Sequence, residues 1–168
     1  RSFHVTGVQT CALPICELIA LAGGVPEGRS LRTVLLGGAA GVFVGPDALA
    51  MPLTLEGARA AGATLGSGVV MLFDETADLP GALRRIAAFF RDESCGQCVP
   101  CRVGTVRQEE LLARLERTIA AGGTPDPGQV VLLRELGQAM RDASICGLGQ
   151  TASSAIESAL RVPGMVGA

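Results

Sequence analysis

The chain contains no lysine, no tyrosine and no tryptophan, and its one histidine is His4. Each absence closes a class of function. Basic residues, all arginine, number 14 against 16 acidic ones for a net charge of −2, so no basic field invites nucleic acid. No apolar run reaches the roughly 20 residues needed to span a bilayer, which excludes direct membrane insertion. Without lysine, the glycine-rich stretch Gly37-Gly38-Ala39-Ala40-Gly41 cannot be a phosphate loop, and it lacks the spacing of a dinucleotide fingerprint, so it reads as a turn. What remains is a chain of 168 residues, 48 % hydrophobic, enough for one domain or two small ones. Four clustered cysteines suit a reducing cytosol, where thiolates stay free to bind metal.

Those cysteines carry the chemistry. In Glu93-Ser94-Cys95-Gly96-Gln97-Cys98-Val99-Pro100-Cys101-Arg102, two residues separate each cysteine from the next. Such a run can hold three iron corners of a [4Fe-4S] cube while a fourth ligand arrives from elsewhere. Cys146, in Ser144-Ile145-Cys146-Gly147-Leu148-Gly149, is the candidate fourth. Gly96 and Gly147 follow ligands directly and lack a Cβ, so the backbone can close on a bulky group and point N–H donors at sulfur. Arg102 beside the loop is placed to offset the negative charge of thiolates, or to be an ordinary surface arginine. Structural zinc also takes four thiolates, although usually from two separated Cys-x2-Cys pairs, and a disulfide pair is a further reading.

Strand-like runs are followed by helical patterns, which predicts an α+β chain. Glu17–Ala22 reads as the end of a helix stopped by Gly23-Gly24. Leu31–Leu36 and Gly68–Phe73 read as strands, with a short helix between them capped by Thr54 and closed at Gly62. From Asp78 the period becomes helical. Asp78 caps a first helix with the stripe Leu79, Leu83, Ile86, Ala87 and Phe90. A second runs from Val103 to Ala121, burying Val106, Leu111, Leu115 and Ile119. A third starts at Asp126-Pro127 and carries Val130, Leu133, Leu136, Gly137 and Met140 inward. A fourth, capped by Thr151 or Ser153, buries Ile156 and Leu160 and is closed by Pro163. Arg107, Glu109, Glu110, Arg114, Glu116 and Arg117 read as the solvated face of the second helix. Four helices on short loops predict a bundle. In an antiparallel bundle the ends of the first and third helices share a pole, which lets Cys146 meet the other three cysteines.

The cysteine segments Glu93–Thr105 and Ile145–Gly149 resemble the C-terminal iron–sulfur domain of the NADH-binding flavoprotein subunit of respiratory complex I. The flavoprotein subunits of NAD-linked formate dehydrogenases and NAD-reducing hydrogenases share that module. The stretch from Gly37-Gly38 through Leu65–Asp74 is similar to the soluble-ligand-binding β-grasp (SLBB) domain that precedes it there. The resemblance implies a partial SLBB β-grasp domain over 17–78, then a four-helix domain over 79–168. It implies one [4Fe-4S] cluster on Cys95, Cys98, Cys101 and Cys146, relaying electrons from FMN to a partner subunit of an NADH-quinone oxidoreductase. FMN and NADH would belong to upstream parts of the parent subunit, so this stretch is expected to be inactive alone. The partners implied are other subunits of a respiratory or NAD-linked dehydrogenase complex. The location implied is cytoplasmic, peripheral on the inner membrane through those partners. A zinc-stapled interaction module without redox function is the competing expectation.

The start of the chain reads differently. Val5–Ile15 resembles a translated sequencing adapter, so residues 1–16 are expected to be a non-native leader. His4, Cys11 and Cys16 then carry no functional argument, which leaves no histidine for acid–base or nucleophilic catalysis.

Overall fold

Leu31–Leu36 is β1, the central strand of a three-stranded antiparallel sheet in the order β2-β1-β3. The structure is a computed structural model and describes residues 13–26 and 28–162. His4, Cys11 and Pro163 lie outside the described residues. β2 is Val42–Val44, pairing Val34 with Val44 and Leu36 with Val42, and β3 is Val70–Asp74, pairing Leu36 with Val70 and Val34 with Leu72. β1 is apolar along most of its length because both faces of the sheet are covered. Val34 and Leu36 enter a cluster with Ile15, Val44, Met51, Leu53 and Ala58, while Leu35 joins Phe43 in the main core beneath the helices.

The first of those clusters is closed by α1 (Ile15–Leu21), a 3-10 turn (Pro46–Ala50) and α2 (Leu55–Ala60). Gly23 and Gly24 end α1 with positive φ, and the Thr54 hydroxyl accepts the Gly57 N–H to cap α2. β2 is not evident in the sequence. Three residues are too few for an alternating pattern, and its place is fixed by a tertiary contact. The N–H of Phe43 donates to Ser158 Oγ at 2.8 Å, and the Ser158 hydroxyl donates onward to the Ala155 carbonyl. A sheet edge is thereby closed by a helix.

Helices α3 (Leu79–Asp92), α4 (Val99–Ala120) and α5 (Pro127–Ala143) follow. Asp78 and Asp126 cap α3 and α5 through the N–H groups of Gly81 and Gly128, each with proline in the first turn. Leu79, Leu83, Ala87 and Phe90 are buried along α3, and Leu133, Gly137 and Met140 along α5. On α4 the buried stripe is Leu111, Leu112 and Leu115, whereas Val106 is exposed. Val106 is five residues from Leu111, about 140° around the helix, and so faces away from that stripe. α4 also starts at Val99, a turn earlier than the expected Val103. Its charged face is also less simply solvated than expected, since Glu116 and Glu109 pair with Arg84 and Arg91 of α3.

The expected fourth helix is present as α7 (Ser154–Ala159), with Ser153 at its N-cap position, and a further short helix, α6 (Gly147–Thr151), precedes it. Gln108 marks the break between them. It is fully buried on α4 and donates its amide to the Ala152 carbonyl at 3.0 Å, at the break between α6 and α7. A side chain from a neighbouring helix thus satisfies a carbonyl that a continuous helix would have bonded itself. Replacing Gln108 by Ala would leave that buried carbonyl unpaired. The expected cost is about 1–3 kcal/mol, read as a lower denaturation midpoint. An unchanged midpoint would mean that the break is held by other contacts.

Candidate metal centre

The third thiol of the cysteine run lies inside a helix. Cys98 takes the extended N-cap position of α4, Pro100 sits in the first turn, and Cys101 follows one residue later. A proline costs no hydrogen bond there, and it fixes the direction in which the helix leaves the loop. Burial is graded along the run. Cys95 is exposed, Cys98 half-buried and Cys101 buried at 5 %. Gly96 turns the loop with φ +76°, and Arg102 donates from Nη1 to the Gly96 carbonyl at 3.1 Å. Arg102, which the sequence leaves open between a counter-charge for the thiolates and an ordinary surface arginine, latches the loop.

Cys146 is brought in by a close helix crossing. A Cβ on Gly104 would lie 2.5 Å from Met140 Cγ and 2.6 Å from its sulfur, so only glycine allows α5 to pack this near the first turns of α4. α5 then ends at Ala143, and Cys146 occupies the N-cap position of α6. The Gln150 amide donates back to the Ser144 carbonyl at 3.0 Å and fixes this short segment. Gly147, expected to be the close-packed glycine here, has nothing within 4 Å of its Cβ position. Gly149 has that role instead. Its Cβ would meet Ser144 Oγ at 2.4 Å and Cys101 Cβ at 2.9 Å.

The thiols feel one another. Backbone N–H groups of Ile145 and Cys101 stabilise the Cys98 thiolate and hold its pKa below the ordinary cysteine value, with the Ser144 hydroxyl adding to the effect. Burial pushes the Cys101 thiol up, against the Ser94 hydroxyl that lies 3.4 Å from its sulfur, and the neighbouring Cys98, Cys146 and Cys95 push it further. Cys95, Cys98 and Cys146 thus each lie near enough to act on the Cys101 thiol, while Cys16 is exposed on α1. In metal-free protein Cys98 should be alkylated at lower pH than Cys101, because the thiolate is the reacting form. Mass spectrometry of iodoacetamide-treated protein across a pH series checks this, and equal reactivity would contradict the opposite shifts.

Among the described residues, no three His, Cys, Asp or Glu side chains gather tightly enough to share one metal ion. Zinc draws four sulfurs to within about 2.3 Å of a single point. A cube takes each thiolate at its own iron, so its ligands stand apart while sharing a centre. Two features fit a group of that size and charge. Ser144 Oγ is buried with no hydrogen-bond partner of ordinary geometry, and Gly149 keeps the space between Ser144 and Cys101 free of side chain. Ser144 and Gly149 both fall in the segment around Cys146. The sequence shows them there, but only the packing of α6 against α4 shows their purpose.

Residues 81–162 match the family described as the NADH-ubiquinone oxidoreductase-F iron-sulfur binding region. They belong to it. The chain is similar to the F-subunit of NADH-quinone oxidoreductase from Mycobacterium tuberculosis strain H37Rv, 34 % identical over 145 residues that cover 86 % of this chain and 32 % of the relative. It is also similar to the NADP-reducing hydrogenase subunit HndC of Solidesulfovibrio fructosivorans, 30 % identical over 83 % of this chain and 28 % of that subunit. Among solved structures, a chain of an NAD+-reducing [NiFe]-hydrogenase in the H2-reduced state superposes with a TM-score of 0.70 at 31 % identity, covering 90 % of this chain and 24 % of that one. The iron–sulfur binding region and the small antiparallel sheet before it thus occur together in a helix-rich fold shared with these oxidoreductases. The chain spans about a third of the length of the curated relatives it matches. Among the described residues no helix is long and apolar enough to cross a membrane.

Proposed function

We propose that this chain is an electron-relay portion of an NADH-oxidising flavoprotein subunit, holding one [4Fe-4S] cluster on Cys95, Cys98, Cys101 and Cys146. The observation that carries the reading is the position of Cys98, at the start of α4, beside the N–H of Ile145, next to Cys146, in a chain whose residues 81–162 match an iron–sulfur binding family. When bound, the cluster supplies reversible one-electron exchange. The chain's own residues do the rest. Cys101 and the first turn of α4 form a buried floor, Cys95 and Cys146 stay near solvent, and the loop N–H groups favour thiolate over thiol.

In the finer architecture we propose, residues 17–78 are a partial SLBB β-grasp domain and 79–168 the cluster domain. α3, α4, α5 and the broken pair α6–α7 stand in for a four-helix bundle. FMN and NADH would be handled by parts of the parent subunit outside this chain, and the electron would pass to another subunit of a cytoplasmic complex, at the membrane only through such partners. The alternative parent is a hydrogenase or formate dehydrogenase flavoprotein subunit. The hydrogenase version is supported by the similarity to an NADP-reducing hydrogenase subunit and an NAD+-reducing hydrogenase. The test of the relay is stoichiometric. Reconstituted, dithionite-reduced protein should return about one electron per chain to ferricyanide. A metal-loaded chain that neither accepts nor returns an electron would leave only the zinc-stapled reading.

A further inference from the structure

Two serine hydroxyls lie among the cysteine segments and have no part in the ligand set. Ser94 Oγ lies 3.4 Å from Cys101 Sγ. Thiol and hydroxyl could each donate in the metal-free protein, but a thiolate bound to iron has no proton, so in the loaded protein the hydroxyl must be the donor. The rest of the loop agrees with that direction. The N–H of Gly96 donates to Ser94 Oγ, which occupies a lone pair and leaves the hydroxyl hydrogen for sulfur. Ser144 is the second case. It is 6 % exposed, and its Oγ has no partner of ordinary geometry, an unfavourable position for a buried hydroxyl. The Cβ position of Gly149 touches both the Ser144 hydroxyl and Cys101 Cβ, so this hydroxyl faces the space between the cysteine loop and α6, and it is one of the groups that favour the Cys98 thiolate.

Resting on the cluster reading, we propose that Ser94 and Ser144 donate hydrogen bonds to the Cys101 and Cys98 sulfurs, and that these bonds raise the reduction potential of the centre. Reduction adds an electron that spreads onto the thiolate sulfurs. A donor aimed at sulfur stabilises the more negative state by more than the less negative one, and the potential rises. Arg102 donates from Nη1 to the Gly96 carbonyl, a backbone contact that none of the serine substitutions removes. Ser94 and Ser144 are therefore positioning and tuning residues acting through the ligands.

The test is a redox titration, followed by EPR, of the full chain after anaerobic reconstitution. Wild type is compared with Ser94→Ala, Ser144→Ala, the double variant and Ser94→Thr, with iron content and melting temperature measured on each. Both single alanine variants should load iron and titrate at more negative potential. The double variant should shift by about the sum, and Ser94→Thr should return toward wild type because it keeps the hydroxyl. A role confined to shaping the loop would lower melting temperature or iron content without moving the potential. If Ser144→Ala holds no cluster, the iron–thiolate stretching bands of wild type in D2O against H2O decide, since loss of an O–H donor in Ser94→Ala must diminish their isotope shift. Loaded alanine variants with the wild-type potential and isotope shift would overturn this inference alone. Wild-type protein that takes up no iron and sulfide would overturn the cluster reading, and this inference with it.

Discussion

Cys146→Ala is expected to remove the stable four-iron centre, leaving at most a labile three-iron species, whereas Cys16→Ala should leave iron content unchanged. The contrast follows from position. Cys146 is held at the N-cap of α6, the N–H of its neighbour Ile145 favours the Cys98 thiolate, and Cys146 itself acts on the Cys101 thiol, which supports its place beside the other three. Cys16 lies exposed on α1, whose Ile15 packs into the cluster with Val34 and Leu36 and not into the core beneath the helices. A cube with one iron lacking a protein thiolate keeps three anchored corners, and the unanchored iron is the one lost. Iron quantification and the EPR signal of the oxidised protein report the change. Full iron in Cys146→Ala would show that the fourth corner is held by another group.

A second large effect is expected from Gly104→Val, a change that touches no ligand. The added Cβ would stand 2.5 Å from Met140 Cγ, and Met140 is completely buried, so its side chain has no solvent to retreat into. Overpacking of this kind costs about 1–3 kcal/mol. For a chain of this size each kcal/mol lowers the melting temperature by about 2–4 °C. The functional consequence is larger than the thermal one, because α5 carries Cys146 toward α4 across this contact. Iron retention should fall well below wild type under mild chelation, even at temperatures where far-UV dichroism shows the helices intact. Wild-type retention would mean that the segment around Cys146 reaches the centre without the close crossing.

The two examples show where sequence reasoning reaches and where it stops. Ligand spacing is local, so Cys95, Cys98 and Cys101 are legible at once. Cys146 follows as the one remaining candidate in a segment between helical patterns. Capping is also local, and Thr54, Asp78 and Asp126 cap α2, α3 and α5 as their positions foretell. What is not legible depends on contacts between distant residues. β2 exists because β1 and Ser158 both bond it, and the break between α6 and α7 is satisfied by Gln108. Reading Val99-Pro100-Cys101 as loop places the start of α4 too late. Proline there is a first-turn residue. Val106 is a separate miss, because it stands about 140° around α4 from Leu111 and is exposed. Adjacency to a ligand favours Gly147 over Gly149, whereas close approach is decided by which glycine faces the neighbouring helix.

The proposed cube of iron and sulfide on Cys95, Cys98, Cys101 and Cys146 has a direct test. The direct measurement is elemental and sulfide analysis of the chain after anaerobic reconstitution, combined with low-temperature EPR after dithionite reduction. The account predicts about four irons and four sulfides per chain and a reduced-cubane signal. Stoichiometric zinc with no inorganic sulfide and no EPR signal would contradict it.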